Sequence, residues 1–333
     1  MNQKVLAFGE LLLRLSPLGY QRLVQAKQLE VAYGGSEANV CVALAGLGVD
    51  SYFVSKLPDN PLGQSANQHL LSYGVNTDSM LWGGDRLGIY FAEAGVSQRA
   101  SQVVYDRANS SVSQLKETEI PWATLLRDKA WFHITGITPA LGEGPAAATL
   151  EGVKVAKKLG LTVSCDLNFR KKLWTPRQAG DVMAPILEYV DVVSGIGPDE
   201  AEGIFGIVAN SRNDYEDLAR YLMERFGFKK VVNTLRQSQS ANHHRLSAWL
   251  YDGLTLYTAR EYSLEIVDRI GGGDAFFGAF IYGQLADYAP QKCLDFAVAA
   301  SVLKHTIPGD VNLVTLAEVE AILDGDLFAR VQR

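Results

Sequence analysis

Cysteine is scarce in this chain of 333 residues, and long apolar runs are missing. The three cysteines, Cys41, Cys165 and Cys293, are odd in number and lie far apart in apolar surroundings. They are therefore predicted to be reduced, buried thiols rather than parts of a disulfide framework. No apolar run reaches the roughly 20 residues that a membrane-spanning helix needs. A membrane protein is not expected.

An excess of positive charge is also missing, because 31 Lys and Arg face 37 Asp and Glu and give a formal net charge of −6. The basic residues are scattered, whereas binding to a phosphate backbone requires a basic surface, so nucleic acid is not an expected partner. The first apolar run begins at Val5 and is broken by Glu10 and Arg14, which is not the pattern of a signal peptide. These features predict a protein of the cytoplasm.

Two common nucleotide-binding motifs are absent as well. The sequence has neither the Lys-Ser/Thr ending of a P-loop nor the G-x-G-x-x-G spacing of a dinucleotide fingerprint. A P-loop enzyme and a nicotinamide dehydrogenase are thus disfavoured. No internal repeat, low-complexity tract or linker is evident in the sequence.

What is present is an alternation of short β-rich apolar runs with longer amphipathic stretches, the pattern of βα units around a mainly parallel sheet. The predicted strands are 5–8, 52–54, 131–134, 161–165, 190–193 and 230–233. The predicted helices are 37–45, 65–72, 146–159, 177–189, 215–226, 275–285 and 291–305. The expected fold class is a doubly wound α/β protein.

Two stretches, at about 11–33 and 87–107, depart from this alternation. The second is rich in β-branched and aromatic residues, so we expect extended, antiparallel strands that form a small sheet beside the core. Later in the chain, residues 246–251 and 254–259 flank Asp252-Gly253. This predicts a hairpin with a type I′ turn, in which both central residues need positive φ.

A run of three glycines, Gly271, Gly272 and Gly273, precedes Asp274 and a segment of strong helical character. The glycine N–H groups can turn inward as a nest and a helix N-terminus adds partial positive charge, so a phosphoryl group is an expected ligand. Asp274 can accept the proton of an attacking hydroxyl, which accelerates a reaction by roughly 10² to 10⁴. The residues alone leave a second interpretation open, in which Asp274 caps a helix after a flexible turn.

A second glycine site, Gly34-Gly35, also opens a predicted helix. Its bare backbone lets a small polar ligand approach closely. Asn39, one turn into the helix, can offer a donor and an acceptor to a hydroxyl. A simple turn before a helix explains the same residues equally well.

Together the two glycine motifs resemble the paired signatures of the ribokinase-like (PfkB) carbohydrate kinases, and the likeness also includes Gly9-Glu10, 59–63, 166–170 and 268–276. The resemblance implies a single α/β domain over residues 1–333, with a sugar between the sheet and a small β lid formed by 11–33 and 87–107. ATP would lie along the carboxyl edge of the sheet with Mg²⁺. Asp274 would be the catalytic base and Gly271 to Gly273 the anion hole. The lid would also join copies of the chain in a homo-oligomer.

The nucleotide side departs from the family pattern in three places. Arg269 follows Asp268 where the family commonly has Thr, and the Asn-x-x-Glu motif linked to Mg²⁺ has Gly197 in place of Asn. Glu200 remains as an indirect partner of the metal, or as a solvated carboxylate at a helix start. The glycine-rich nucleotide loop is altered over 234–242, and the nucleotide contacts are expected from Asn168, Thr234, Arg236, Gly271 and Gly273.

Arginines indicate the kind of sugar. Arg14 stands where many family members carry an Asp that holds neutral sugars, and Arg107 and Arg170 follow predicted strands. A guanidinium fork matches a carboxylate, although each arginine alone is also explained by a surface ion pair. The chain is similar to the 2-keto-3-deoxygluconate kinases of the family at the positions where they bind substrate, which here are Gly34, Tyr90, Tyr105, Arg107, Arg170 and Asp310. The expected substrate-binding residues also include Gly35, Asn39 and Asp274 from the glycine motifs.

The resulting hypothesis is ATP-dependent phosphorylation of 2-keto-3-deoxygluconate at its C6 hydroxyl, with Asp274 as the base and with Arg107 and Arg170 binding the carboxylate of the substrate. A fructokinase-like enzyme for a neutral sugar is the alternative within the same class. A non-catalytic sugar or nucleotide sensor is the alternative from another class, since the metal and nucleotide motifs are altered.

Overall fold

The computed structural model describes residues 3–211 and 214–325, which form ten α-helices, a few short 3-10 turns and three β-sheets. The strands are β1 (Lys4–Phe8), β2 (Leu12–Pro17), β3 (Leu29–Gly34), β4 (Asp50–Val54), β5 (Lys56–Leu57), β6 (Leu81–Trp82), β7 (Gly88–Glu93), β8 (Gln102–Asp106), β9 (Trp131–Thr135), β10 (Thr162–Asp166), β11 (Val192–Ser194), β12 (Lys230–Ser238), β13 (His243–Tyr251), β14 (Leu256–Thr258) and β15 (Tyr262–Glu265). The helices are α1 (Ser36–Gly46), α2 (Pro61–Ser72), α3 (Trp122–Leu125), α4 (Glu143–Lys158), α5 (Pro176–Leu187), α6 (Pro198–Phe205), α7 (Tyr215–Phe226), α8 (Gly272–Leu285), α9 (Pro290–Lys304) and α10 (Leu316–Leu323).

The large sheet has the order β14-β13-β12-β11-β10-β9-β1-β4, with β15 also paired to β13. From β4 to β12 the pairings are parallel, and the last strands are antiparallel. Parallel strands that are covered on both faces carry continuous apolar runs, and in β1 Val5 to Phe8 are at most 1% exposed. All six predicted strands are present, with ends that differ by up to two residues, except that β12 continues to Ser238.

Helices cover both faces of this sheet. One apolar cluster includes buried residues of α1, α8, α9 and α10, and another includes residues of α4, α5, α6 and α7. The predicted doubly wound α/β fold class is therefore confirmed.

The two irregular stretches contribute the strands of a separate small sheet with the order β3-β2-β7-β8. Its β2–β3 and β7–β8 pairs are antiparallel, as expected, whereas β2 and β7 are parallel. The parallel pair is possible because a long connection, with α1 and α2 in it, separates the two strands.

Several local predictions were wrong. The hairpin between β13 and β14 has a four-residue loop, in which Gly253 has positive φ and the Asp252 carboxylate accepts hydrogen bonds from the N–H groups of Leu254 and Thr255. The loop is therefore an Asx-stabilised turn rather than type I′. Helices α6 and α10 were not predicted, and α2 begins earlier than expected at Pro61, behind the capping side chain of Asn60.

Within the described ranges, none of the helices combines the length and the apolar character that crossing a membrane requires.

Candidate active site

A cavity of about 600 Å³ lies between the small sheet and the large sheet. Its wall includes the segments that follow β1 and β10, so it sits at the carboxyl edge of the parallel strands, where open α/β sheets bind ligands. The predicted residues that line it are Gly34, Gly35, Asn39, Tyr90, Tyr105, Arg107, Asn168, Arg170, Thr234, Arg236, Gly271, Gly272, Gly273, Asp274 and Asp310.

Asp274 is the third residue of α8 rather than the residue before the helix, because the helix starts at Gly272, three residues earlier than expected. Gly271 precedes the helix with φ 79°, a left-handed conformation, and a β-carbon there would collide with the backbone oxygen of Asp310. The first N–H groups of a helix have no acceptor within it. The turn therefore presents free donors and the positive end of the helix dipole to the cavity.

Two side chains from α1 donate hydrogen bonds to the carboxylate of Asp274. Ser36 Oγ lies 2.6 Å from Oδ1, and Asn39 Nδ2 lies 2.7 Å from Oδ2. Burial raises the pKa of Asp274, although these two donors and the nearby Arg170 oppose the rise. A carboxylate with a raised pKa and a fixed orientation suits a general base.

The end of β10 completes this network. Asn168, with φ 42°, donates from Nδ2 to Ser36 Oγ at 3.2 Å, and its N–H donates to Asp166 Oδ1 at 3.0 Å. Burial, followed by the nearby carboxylate of Asp274, raises the pKa of Asp166 to about 6. Asn168 thus contacts the neighbour of the candidate base.

Arg107 is already paired on the opposite wall. Its guanidinium forms a buried ion pair with Glu10, which also accepts a hydrogen bond from Ser110 Oγ at 2.7 Å. Burial raises the pKa of Glu10 although Arg107 and Ser110 oppose it. Within the described residues, Nε of Arg107 is buried without a hydrogen-bond partner. The charge of Arg107 is therefore already compensated by Glu10, which differs from the free arginine that a carboxylate would need.

Arg14 joins the small sheet to the loops of the large one. It donates to Asp268 Oδ2 at 2.7 Å and to Asp310 Oδ1 at 2.6 Å. The other oxygen of Asp310 accepts a hydrogen bond from Tyr90 Oη, and a β-carbon at Gly34 would collide with this carboxylate. Tyr90 therefore satisfies one carboxylate oxygen of Asp310, and the missing side chain of Gly34 leaves space for this carboxylate.

Arg170 differs from both of these arginines. Its side chain lines the cavity, is exposed, and forms no hydrogen bond or ion pair within residues 3–211 and 214–325. Tyr105 lines the same cavity, with its ring 5.2 Å from the guanidinium carbon of Arg107 and 5.8 Å from the ring of Tyr90. Arg170 is thus an available positive charge near the candidate base.

Thr234 and Arg236 were predicted in a loop, but they lie on β12, and the turn follows at 239–242. The hairpin continues further than expected because β13 pairs with β12 as far as Ser238. Thr234 also borders a second cavity of about 370 Å³, together with Glu200 and Gly273. A second space, lined by Glu200 and Thr234, thus adjoins the glycine turn at Gly273.

Residues 2–315 match the family of pfkB carbohydrate kinases. The chain belongs to this family. A 2-dehydro-3-deoxygalactonokinase of Haloferax volcanii is 36% identical over 98% of this chain and 98% of the relative. A crystal structure of a 2-dehydro-3-deoxygluconokinase of Thermotoga maritima has 45% identity and a TM-score of 0.95, covering 98% of this chain and 99% of its own. A candidate ribokinase II of E. coli, solved with ATP and Mg²⁺, shares the fold at 21% identity and a TM-score of 0.82, covering 97% and 99%.

The expected ribokinase-like carbohydrate kinase is therefore confirmed at the level of the family. ATP and Mg²⁺ are the general requirements of such a kinase. Among the described residues, no group of three or more His, Cys, Asp and Glu side chains is arranged to hold a metal ion. This still fits Mg²⁺, which in kinases keeps several waters and binds one or two carboxylates together with phosphates.

Glu200 is placed where such a contact is possible. One carboxylate oxygen accepts a hydrogen bond from Gly197 N–H at 3.2 Å and closes the first turn of α6. The second oxygen has no hydrogen bond within the described part of the kinase. Glu200 thus stabilises the start of α6, and its contact with Mg²⁺ stays a prediction.

Sequence reasoning gave no role in the site to Glu10, Ser36, Asp166 and Asp268, and it took Arg14 as a sign of the sugar rather than as a paired residue of the wall. One signal was present, because a charged side chain inside an apolar strand, such as Arg14, must be paired when buried. Ser36 lay inside the second glycine motif but carried no signal of its own. Its importance comes from α8, which brings Asp274 to it across 238 residues of sequence.

Proposed function

We propose that this protein transfers the γ-phosphoryl group of ATP to the C6 hydroxyl of 2-keto-3-deoxygluconate. The observation that carries the proposal is one cavity that holds both Asp274, at the glycine turn of α8, and the unpaired Arg170. A base beside an anion-binding turn suits phosphoryl transfer, and a free guanidinium suits a carboxylate on the acceptor.

In the proposed reaction, the hydroxyl oxygen of the sugar acid attacks the γ-phosphorus as Asp274 takes the hydroxyl proton. The bond from the γ-phosphorus to its bridging oxygen breaks, and ADP leaves. Gly271 to Gly273 stabilise the charge on the phosphoryl oxygens through backbone N–H groups. Ser36 and Asn39 hold the carboxylate of Asp274 in place, supported by their hydrogen bonds of 2.6 and 2.7 Å.

Thr234 and Arg236 are proposed to border the nucleotide, with Asn168, Gly271 and Gly273. Mg²⁺, when bound with ATP, would neutralise phosphate charge, and Glu200 would hold it through water. Gly35, Tyr90, Tyr105, Arg107 and Asp310 are proposed to border the sugar acid beneath the small sheet, which would act as its lid.

An ADP-release assay with ATP and a panel of acceptors tests the substrate. The panel includes 2-keto-3-deoxygluconate, its galactonate epimer, fructose and ribose, since the similar proteins are named for both keto-deoxy acids. We expect the highest kcat/KM with 2-keto-3-deoxygluconate. A preference for fructose or ribose would contradict the sugar-acid assignment, and a preference for the epimer would move it to that acid. Analysis of the product by NMR identifies the phosphorylated carbon.

Arg170→Ala sharpens the distinction from a fructokinase. We expect kcat/KM for the sugar acid to fall by roughly 10- to 100-fold, because a hydrogen bond to a charged group contributes about 1.5 to 3 kcal/mol. Any activity with a neutral sugar, measured at a pH well above the pKa of Asp274, should stay unchanged, because Arg170 also stabilises the charged form of this carboxyl. Arg177→Ala, at an exposed position of α5, is the matched control. Equal losses with acidic and neutral acceptors would contradict a role in carboxylate recognition.

A homo-oligomer through the small sheet is part of the proposal. Val24, Val31 and Val104, on this sheet and its connections, are 88%, 63% and 51% exposed, and a second copy would cover them. Light scattering after size exclusion tests this, with Val31→Asp expected to shift the protein toward monomer. The cytoplasmic location stays a prediction.

A further inference from the structure

Two arginines beside the glycine turn have no negatively charged partner among the described residues. Arg236, on β12, and Arg269, two residues before α8, line the same cavity as Gly271 to Gly273. Within residues 3–211 and 214–325 neither forms an ion pair, whereas Arg14 and Arg107 each have buried carboxylates. The cavity wall thus holds two uncompensated positive charges next to the expected position of the transferred phosphoryl group.

Arg236 is held in place by a neutral histidine. His305 is fully buried, and burial lowers its pKa to about 4. Its Nδ1 lies 2.6 Å from the backbone oxygen of Ser301, so Nδ1 carries the proton and donates it. Nε2 is then left to accept the hydrogen bond from Arg236 Nη2 at 3.1 Å. This contact fixes the guanidinium without neutralising it.

The two arginines also repel each other. Burial, followed by the charge of Arg269, lowers the pKa of Arg236 to about 10. Like charges that converge on one cavity cost free energy unless an anion lies between them. The contacts of Arg236 with His305 and the exposure of Arg269 at the cavity rim leave both guanidinium groups able to face such an anion.

We propose that Arg269, together with Arg236, binds the β- and γ-phosphates of the nucleotide, and that His305 positions Arg236 for this contact. The inference rests on the proposed function for the presence of a nucleoside triphosphate. A chain of phosphates matches two guanidinium groups better than a single carboxylate does, because each phosphate offers its own oxygens to a fork of donors. In the proposed function, Arg170 binds the carboxylate of the sugar instead.

Calorimetry with ADP and AMP tests Arg269 without any turnover. For Arg269→Ala we expect the affinity for ADP to fall by about tenfold, the effect of one charge-assisted hydrogen bond, and the affinity for AMP to change by less than about twofold. Arg269→Lys should recover part of the loss, since a point charge remains. Arg260→Ala removes an equal charge from an exposed position that does not line the cavity, and should leave both affinities unchanged.

His305→Ala tests whether His305 acts by positioning Arg236. The loss of ADP affinity that His305→Ala causes should be much smaller in a protein that already carries Arg236→Ala than in the unchanged protein, because the two residues act through one contact. Equal ADP affinity of Arg269→Ala and the unchanged protein would overturn the inference and leave the kinase proposal intact, as would equal losses for ADP and AMP. A failure of the unchanged protein to bind ADP would overturn both.

Discussion

The two walls of the cavity treat their charged groups in opposite ways. On the small-sheet side, Arg107 and Arg14 are buried and satisfied by the carboxylates of Glu10, Asp268 and Asp310. On the large-sheet side, Arg170, Arg236 and Arg269 have no carboxylate partner within the described ranges, and Asp274 is held only by neutral donors. This difference shows that the presence of an arginine does not by itself identify a charge that is free to bind a ligand. Paired groups maintain the shape of the site, and unpaired groups remain available for chemistry.

The strongest test of the large-sheet wall is Asp274→Asn. We expect kcat to fall by roughly 10³-fold or more, because an amide cannot accept the hydroxyl proton, while ADP affinity and folding stay close to normal. Steady-state kinetics and calorimetry measure the two effects. Asp59→Asn, at an exposed position outside the cavity, is the control and should be fully active. Substantial activity of Asp274→Asn would remove the proposed base.

Loss of a charged group from the small-sheet wall should lower the free energy of unfolding. Arg107→Ala leaves the buried Glu10 carboxylate without its ion partner, and breaking a buried pair in this way costs about 3 kcal/mol or more. Chemical denaturation measures the free energy of unfolding. Arg86→Ala, which breaks the exposed pair with Asp106 beside the same sheet, should cost much less.

A second variant keeps this test specific. Adding Glu10→Gln to Arg107→Ala should restore part of the stability, because the unpaired buried charge is then gone. If Arg107→Ala unfolds no more easily than Arg86→Ala, the contrast between the two walls does not hold. A loss of activity in Arg107→Ala would not by itself show that Arg107 binds the carboxylate of the substrate, since this variant also destabilises the wall of the cavity.

The smallest expected effect concerns pH. Activity that depends on an ionised Asp274 falls as the pH falls through the pKa of this carboxyl, which burial raises. The Ser36 hydroxyl stabilises the charged form, as does Arg170, while Asp310 opposes it. Ser36→Ala should therefore raise the pKa of Asp274 further and move the acidic limb of kcat/KM to higher pH. Ser65→Ala, on α2 outside the cavity, is the control. An unshifted or downward-shifted limb would contradict this assignment.

Much of the fold was predictable because its signals are local. The six parallel strands are recognisable in the sequence as short apolar runs. The glycine turn before Asp274 is a contiguous motif that needs no distant partner for its conformation. The extension of β12 to Ser238 was not predictable in the same way. The residues at its end are polar, and they are in the strand because they pair with β13, not because they form an apolar run. The turn at Asp252 was mispredicted because Asx hydrogen bonds compete with the geometry that the dipeptide favours.

The sequence by itself determined the doubly wound α/β class and the two glycine motifs, since periodicity and backbone freedom are properties of neighbouring residues, and it predicted Asp274 as a candidate base. Only the tertiary structure decided which charges are free. Arg107 meets Glu10 across 97 residues, and Arg14 meets Asp268 across 254. Whether a guanidinium is neutralised depends on which loops fold together at the sheet edge, and burial makes that pairing obligatory where water cannot replace the partner.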